Sequence, residues 1–381
     1  MLNKIKKKMI NIANDRGERR FFSFESLLYL FSIVYHGLIK FRAASYKRSI
    51  IKSKRLPCKV ISIGNITVGG TGKTPMTLYI AKLVQRLDYK VVVISRGYKG
   101  GLEKTGGVVS DGKKIFMGPE EAGDEPFMMA GRLKGIPVII GKDRFEAGKL
   151  AVRKFNPDVI VLDDAFQHLK LKRDINLVLL DAKCPFGNSY LLPRGILREP
   201  LSSLFRSDAL ILTRFDFKKM KVSYTEFSQL THAVPVFRTS HVPYIYKVEK
   251  ETRVPFDCVS INSPLNCFEF LKDRSVYAFA GIARNKDFLC SVESFNCNIS
   301  GFIEFDDHHR YSDNDLKRIL SLAEKANVEF LITTEKDYAR IAHRIKWPFD
   351  LMVVGVEICF GSDDKIFSDF LKERLACLKA G

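Results

Sequence analysis

Short, fully apolar runs alternate along this chain with longer stretches in which apolar residues recur every three or four positions. Cys58–Gly64, Val91–Ser95, Val138–Ile140, Asp158–Asp164, Asn176–Asp181 and Ala209–Thr213 read as buried strands, being β-branched and bounded by Gly or polar residues. Arg144–Lys154 carries a helical pattern, and another opens at Pro75, a residue favoured in a first turn. Strands alternating with helices predict an α/β fold: a mostly parallel sheet with helices on both faces. Further along, Val276–Gly281, Phe330–Thr333 and Leu351–Val356 read as strands, and Leu316–Ala326 and Ile366–Leu378 as helices, which predicts a smaller C-terminal α/β lobe. The expected division is an N-terminal segment 1–55, a core 56–235, an irregular connecting ribbon 236–272 rich in Pro, Val and Lys, and the lobe 273–381.

The N-terminal segment departs from this pattern. Phe21–Phe41 is the most apolar stretch, with Glu25 near its start and His36 and Lys40 near its end. Phe24, Leu28, Phe31, Tyr35 and Leu38 fall at spacings of four, three, four and three, one face of a helix. A spanning helix needs about 20 predominantly apolar residues, and this stretch falls short of that. A helix packed into the core and a helix lying on a membrane surface both fit the spacing. Charge favours the surface. The chain carries a formal +19, and residues 1–55 hold fourteen Lys and Arg against Asp15, Glu18 and Glu25. Such an excess points to an anionic partner, either a phospholipid surface, a phosphorylated substrate or nucleic acid. The eight cysteines form no CxxC pair and no metal-ligand spacing, as in a cytoplasmic protein with reduced thiols.

The first core strand runs into Asn65-Ile-Thr-Val-Gly-Gly-Thr-Gly-Lys-Thr74, and a helix follows. Strand, Gly-rich loop and helix in that order form the setting of a Walker A motif. Thr67, Val68, Gly69, Gly70, Thr71 and Gly72 would turn backbone N–H groups onto phosphate oxygens. Lys73 would reach the terminal phosphates of ATP, and Thr74 would offer its hydroxyl to Mg²⁺. Thr67 stands where the motif has its first Gly. DVIVLDD (158–164) has the Walker B form, an apolar strand ending in acids, so Asp163 and Asp164 are candidate Mg²⁺ groups. Together these predict a P-loop NTPase-like core. Arg96 and Tyr98 follow a strand's C-terminal end, where open α/β sheets bind ligands. Gln167 and His168 follow the Walker B strand, where sugar contacts and core hydrogen bonds are equally open.

GNITVGGTGKTP, ISRGY (94–98), GDEP (123–126), LDDAFQH (162–168), GNSYLLPRGILREP (187–200), AGI (280–282), DHH (307–309) and TEKD (334–337) occur in this order. Together, from about residue 22 to 365, they resemble the tetraacyldisaccharide 4′-kinase family, in which Thr at the first Walker A position is usual. Ala165, Lys99 and Arg194 depart from the family's pattern, but none removes a reacting group. The resemblance implies ATP- and Mg²⁺-dependent phosphorylation of the 4′-hydroxyl of the tetraacyldisaccharide 1-phosphate precursor of lipid A, giving lipid IVA in lipopolysaccharide biosynthesis. It implies a peripheral or monotopic enzyme at the cytoplasmic face of the bacterial inner membrane, with no nucleic acid or protein partner. It assigns proton acceptance to Asp124, support of that carboxylate to His308, and a place near metal and triphosphate to Glu199. From the residues alone, Asp124 also suits a helix N-cap. Likewise His308, amid Asp306, Asp307 and His309, suits a metal site or a solvated turn, and Arg198 a salt bridge. If Asp124 and His308 lie in different lobes, a cleft should close between them.

Two other classes of function remain to be weighed. A regulatory GTPase would need Lys directly after Asn or Thr in its base-reading motif, whereas Thr334 is followed by Glu335. A nucleic-acid-binding ATPase would interleave its basic residues with aromatics on a sheet. Here they cluster beside an apolar helix.

Overall fold

The computed structural model of the protein describes residues 23–218, 234–248, 267–342, 344 and 347–377. The basic residues before position 23, and the part of the expected ribbon at 249–266, lie outside the described residues. In chain order the elements begin with α1 (Phe24–Lys47), β1 (Lys59–Asn65), α2 (Lys73–Arg86), β2 (Val91–Ser95) and β3 (Gly107–Ser110). Next come α3 (Asp124–Arg132), β4 (Val138–Ile140), α4 (Arg144–Phe155), β5 (Val159–Asp163), β6 (Ile175–Asp181) and β7 (Ala209–Thr213). They continue with β8 (Val236–Arg238), β9 (Ser240–Val248), β10 (Ser275–Ala280), α5 (Asn285–Glu293) and β11 (Asn298–Glu304). The last are α6 (Asp313–Lys325), β12 (Phe330–Thr334), α7 (Glu335–Ile341), β13 (Asp350–Cys359) and α8 (Asp364–Cys377).

The chain divides into two compact units that interleave in sequence. The first comprises 1–73, 152–241 and 359–381, and the second 74–151 and 242–358. In the first unit the strands run β5-β1-β6-β7-β8, and every neighbouring pair is parallel. Every residue of β5, β6 and β7 is buried, so these strands read as unbroken apolar runs rather than alternating ones. The register sets Ile63 beside Asp163, so the loop leaving β1 and the acids ending β5 emerge together. In the second unit β4 pairs in parallel with β2 and antiparallel with β3. A separate five-stranded sheet in that unit has the order β11-β10-β12-β13-β9. This is the expected α/β architecture with its smaller C-terminal lobe.

The ribbon expected over 236–272 begins instead with two strands, β8 and β9. Each lies at the edge of its sheet, where Pro243 costs no ladder hydrogen bond that a neighbour needs. The proline that made the segment look irregular is the mark of an edge strand.

Helix α1 is the other informative element. Ser23 caps it, Glu25 lies in the first turn and Lys47 in the last, so both charges suit the helix dipole. Only Leu28, Ser32 and Ser45 are buried. The face predicted from the spacing splits: Leu28 turns inward and Tyr35 is half-buried, while Phe24, Phe31 and Leu38 are exposed. With Leu27, Leu30, Val34 and Phe41, also exposed, these make a broad apolar stripe on the outside of the helix. By length and composition α1 could cross a membrane, but its inward side is docked on protein. Ser32 Oγ donates to the Leu191 carbonyl (2.9 Å) and accepts from Arg194 N (3.0 Å), and Tyr35 donates to the Arg198 carbonyl (2.9 Å).

Candidate active site

The loop from β1 into α2 is held from both sides. Val68 N donates to the Ile196 carbonyl (2.8 Å) and Arg198 N to the Ile66 carbonyl (2.7 Å), so segment 196–198 runs antiparallel to the loop's entry at Thr67. Asn65 Nδ2 donates to Thr71 Oγ1 (2.9 Å). Gly69 and Gly72 have positive φ (104° and 82°), and a Cβ at Gly72 would stand 2.6 Å from His241 Nε2. Only glycine satisfies both the turn and the close approach at position 72. Arg214, anchored by Asp181 (3.0 Å), donates to the Gly70 carbonyl (2.7 Å). Because the peptide is planar and trans, fixing that carbonyl fixes the Thr71 N–H in the opposite direction. Sequence reasoning missed Arg214. A lone Arg after a strand carries no motif.

Lys73 is the first residue of α2, and its Nζ lies 3.8 Å from Asp164. Asp163 ends β5 and is buried. Asp164 takes a left-handed conformation (φ 48°) and is only partly covered. Arg198 Nη1 donates to both its carboxylate oxygens (3.2 Å each), which is the salt bridge the sequence left open for this Arg. Glu199 is buried and paired with Arg206. Burial raises its carboxyl above the usual carboxylate range despite that cation. Gln167 Nε2 donates to the Asn65 carbonyl (2.8 Å), a core hydrogen bond beneath the loop. The His168 carbonyl accepts from Arg173 (2.9 Å).

In the second unit a different cluster forms. Asp124 is the first residue of α3, and Gly123, not Asp124, occupies the N-cap. Gly123 has φ 87°, and a Cβ there would come 2.8 Å from the Tyr98 carbonyl. His308, also left-handed (φ 60°), places Nδ1 3.1 Å from Asp124 Oδ2. Both residues therefore belong to one unit and already touch, so the premise of a cleft closing between them in separate lobes does not hold. Arg340 Nε donates to the same Oδ2 (2.8 Å). Asp124 Oδ1 takes no hydrogen bond among the described residues. Burial works against the charge on Asp124, but the His308 hydrogen bond and the Arg340 guanidinium outweigh it and hold the carboxyl below its ordinary range.

Tyr98 is half exposed and stands edge-on to His308, ring centroids 5.6 Å apart, while Arg96 is tied to Glu103 (2.6 Å). Among the described residues, no group of three or more His, Cys, Asp and Glu is arranged to hold a metal, so the acid and histidine run at 306–309 forms no such site there.

A glycine-rich loop between a buried strand and a helix that opens at Lys73, with the acids of β5 emerging beside it, is the setting of a P-loop enzyme. The tetraacyldisaccharide-1-P 4′-kinase family model matches residues 24–376. A tetraacyldisaccharide 4′-kinase of Desulfatibacillum aliphaticivorans is 40% identical over 353 residues, covering 92% of each chain. That of Syntrophus aciditrophicus is 37% identical over 365 residues, covering 93% of this chain and 94% of its own. The crystal structure of LpxK from Aquifex aeolicus in complex with ATP superposes with a TM-score of 0.72 at 31% identity, covering 93% of this chain and all of that one. The chain belongs to the tetraacyldisaccharide 4′-kinase family. It is an ATP-dependent kinase that phosphorylates the 4′-hydroxyl of the lipid A disaccharide precursor and associates with membranes through its N-terminal helix.

Proposed function

We propose that Asp124, supported by His308, accepts the proton of the sugar 4′-hydroxyl while the loop 67–74 holds the triphosphate of ATP. The observation that carries this reading is the arrangement around Asp124. Two donors occupy Oδ2, leaving Oδ1 to receive a hydroxyl hydrogen. Phosphoryl transfer passes through a loose transition state, so the proton leaves late and a carboxylate kept ionised by its neighbours is basic enough. His308 orients that carboxylate. Lys73 brings its charge to the terminal phosphates, and the loop amides receive phosphate oxygens. Tyr98, beside His308, and Arg96 are the sugar-facing candidates in this unit; Gln167 and His168 are less suited, with Gln167 already bonded beneath the loop.

Mg²⁺ fits the donors present. The Thr74 hydroxyl and the carboxylates of Asp163 and Asp164 are hard oxygen ligands, and one or two carboxylates suffice when phosphates supply the rest. Asp164 already lies against two cations, Arg198 and Lys73, as a carboxylate in a cation's place would. Bound there, Mg²⁺ would neutralise charge on the phosphates. Glu199 would have to exchange its Arg206 partner to join it.

The exposed apolar stripe of α1, with Lys40, Arg42, Lys47 and Arg48 on the same helix or at its end, favours an anionic leaflet at the cytoplasmic face of the inner membrane. Replacing Asp124 by Asn tests the chemistry. It should lower kcat by about 10²–10⁴ with KM for ATP little changed. Turnover near that of the parent protein would remove Asp124 from the reaction.

A further inference from the structure

The four residues Lys336, Asp337, Arg340 and Thr334 belong to one helix and its cap, and the TEKD segment that contains three of them has so far only helped to mark the family. We infer that Lys336 and Arg340 are positioning residues for the acceptor proton: together they fix which nitrogen of His308 carries hydrogen and which oxygen of Asp124 is left for the hydroxyl. The inference rests on the reading of Asp124 as proton acceptor.

The geometry begins at the helix cap. Thr334 caps α7, accepting from Asp337 N (3.1 Å) and donating to Asp337 Oδ2 (2.6 Å). Asp337 is fully buried, accepts from Gly281 N (3.0 Å), and grips Arg340 Nη1 (2.8 Å). The same Nη1 donates to the Gly281 carbonyl (3.1 Å), which also receives His308 N (3.2 Å). The guanidinium is thereby locked by one buried carboxylate and one backbone carbonyl, leaving Nε directed at Asp124 Oδ2. A planar fork held at two points aims its third donor without further freedom.

Lys336 lies one turn earlier on the same face. Its Nζ is 3.3 Å from His308 Nε2, 3.1 Å from Glu125 and 3.8 Å from Asp307. An ammonium only donates, so the Nε2 facing it accepts. The ring hydrogen then belongs on Nδ1, where it is donated to Asp124, a carboxylate that can only accept. The opposite tautomer would set two acceptors against each other at 3.1 Å across the Asp124 contact. Arg340 Nη2, at 3.5 Å from Nδ1, is at the edge of hydrogen-bond reach and does not compete with the shorter Asp124 contact. The charged and titratable groups around Asp124 are thus Arg340 and Lys336 from α7, His308 and Asp307 from the loop after β11, and Glu125 from its own helix. Against burial, the His308 hydrogen bond and the Arg340 guanidinium hold the carboxyl below its ordinary range.

A purely structural role, tying α7 to α3 through Lys336–Glu125, would leave the protonation pattern of His308 unchanged. The test uses the full chain with histidine ring nitrogens labelled, His308 being assigned by its loss in His308→Gln. In Lys336→Met the His308 ring should populate both tautomers, and kcat should fall about tenfold with KM for ATP within about twofold. In Arg340→Met the acid limb of the kcat profile should move up by about one pH unit, because removing a cation raises the Asp124 carboxyl. That variant leaves Asp337 buried without its cation, so Arg340→Lys accompanies it. Lysine keeps the charge but cannot donate along both directions at once, and kcat should drop at unchanged KM for ATP. Parent-like kcat, acid limb and His308 tautomer in the folded variants overturn the inference. An inert Asp124→Asn alongside them confines that failure to the positioning role, whereas an active Asp124→Asn brings down the base assignment and this inference with it.

Discussion

The glycine-rich loop of the first unit and the aspartate cluster of the second are built from different materials. The loop works through backbone. Its chemistry lies in amide directions set by Gly69 and Gly72, by the strand-like contact of Thr67 with Leu197, and by Arg214 on the Gly70 carbonyl. Its residues lie together in sequence, since consecutive amides of one tight turn can be aimed into the same hollow. The aspartate cluster works through side chains. Asp124, His308, Lys336 and Arg340 come from three separate stretches of chain and meet only through the fold. A contiguous site resists single side-chain losses outside its one charged group, whereas a dispersed one depends on every member.

Lys73 is that charged group, and removing it gives the largest expected effect on the loop. Lys73→Ala should lower kcat by roughly 10³, the scale for one preorganised charge on the transition state. Fold and α2 should persist, since Ala is a good helix former. Steady-state kinetics with circular dichroism checks both halves, and a folded variant with parent-like kcat would break the claim that the loop concentrates its chemistry in one side chain.

Arg214 sharpens the comparison from the other direction. It touches no reacting group and acts only on backbone, so its loss should be milder. Arg214→Met should raise KM for ATP by about tenfold, the scale of one charge-assisted hydrogen bond, while leaving kcat within a few-fold. A collapse of kcat as deep as that of Lys73→Ala would mean that the loop's backbone is not self-supporting.

The same distinction explains what the chain revealed before its structure was known. Strands of the first unit were legible because parallel strands covered on both faces read as unbroken apolar runs; Ala209–Thr213 matches the structure residue for residue, as do Val91–Ser95 and Val138–Ile140 of the second unit. The loop was legible because glycines, Lys and Thr at fixed spacing have one physical use in that setting. Edge strands β8 and β9 were not, since a proline and half-exposed positions weaken the pattern. Asp124 and His308 were reached only through family resemblance. A single Asp before a helix is also good capping chemistry, and only in the folded chain is it Gly123 that takes the cap. Arg340 carried no signal and Lys336 only the family mark of TEKD, since two basic residues one turn apart on a short helix look like a solvated face until Asp124 and His308 are seen against them.

Helix α1 gives the smallest expected effect on turnover and the clearest separation of binding from chemistry. Its inner side is fastened to the segment that also clasps the loop: Ser32 at Leu191 and Arg194, and Tyr35 at the Arg198 carbonyl. The outer side, with Leu30, Phe31, Val34, Leu38 and Phe41 exposed, has no work to do for the fold. Each such side chain gains roughly 1.5–3 kcal/mol on full transfer from water into an apolar layer, so a few of them outweigh any single surface charge. Replacing Leu30, Val34 and Leu38 by Ser should therefore release the protein from vesicles rich in anionic lipid, measured by flotation. Turnover of detergent-dispersed substrate should stay within about twofold, because burial of Leu28 and the Ser32 and Tyr35 hydrogen bonds are untouched. Unchanged flotation would assign membrane binding to some other surface. A deep loss of turnover in detergent would show instead that the outer stripe reaches the chemistry, and that the helix, the segment it is fastened to and the loop function as one piece.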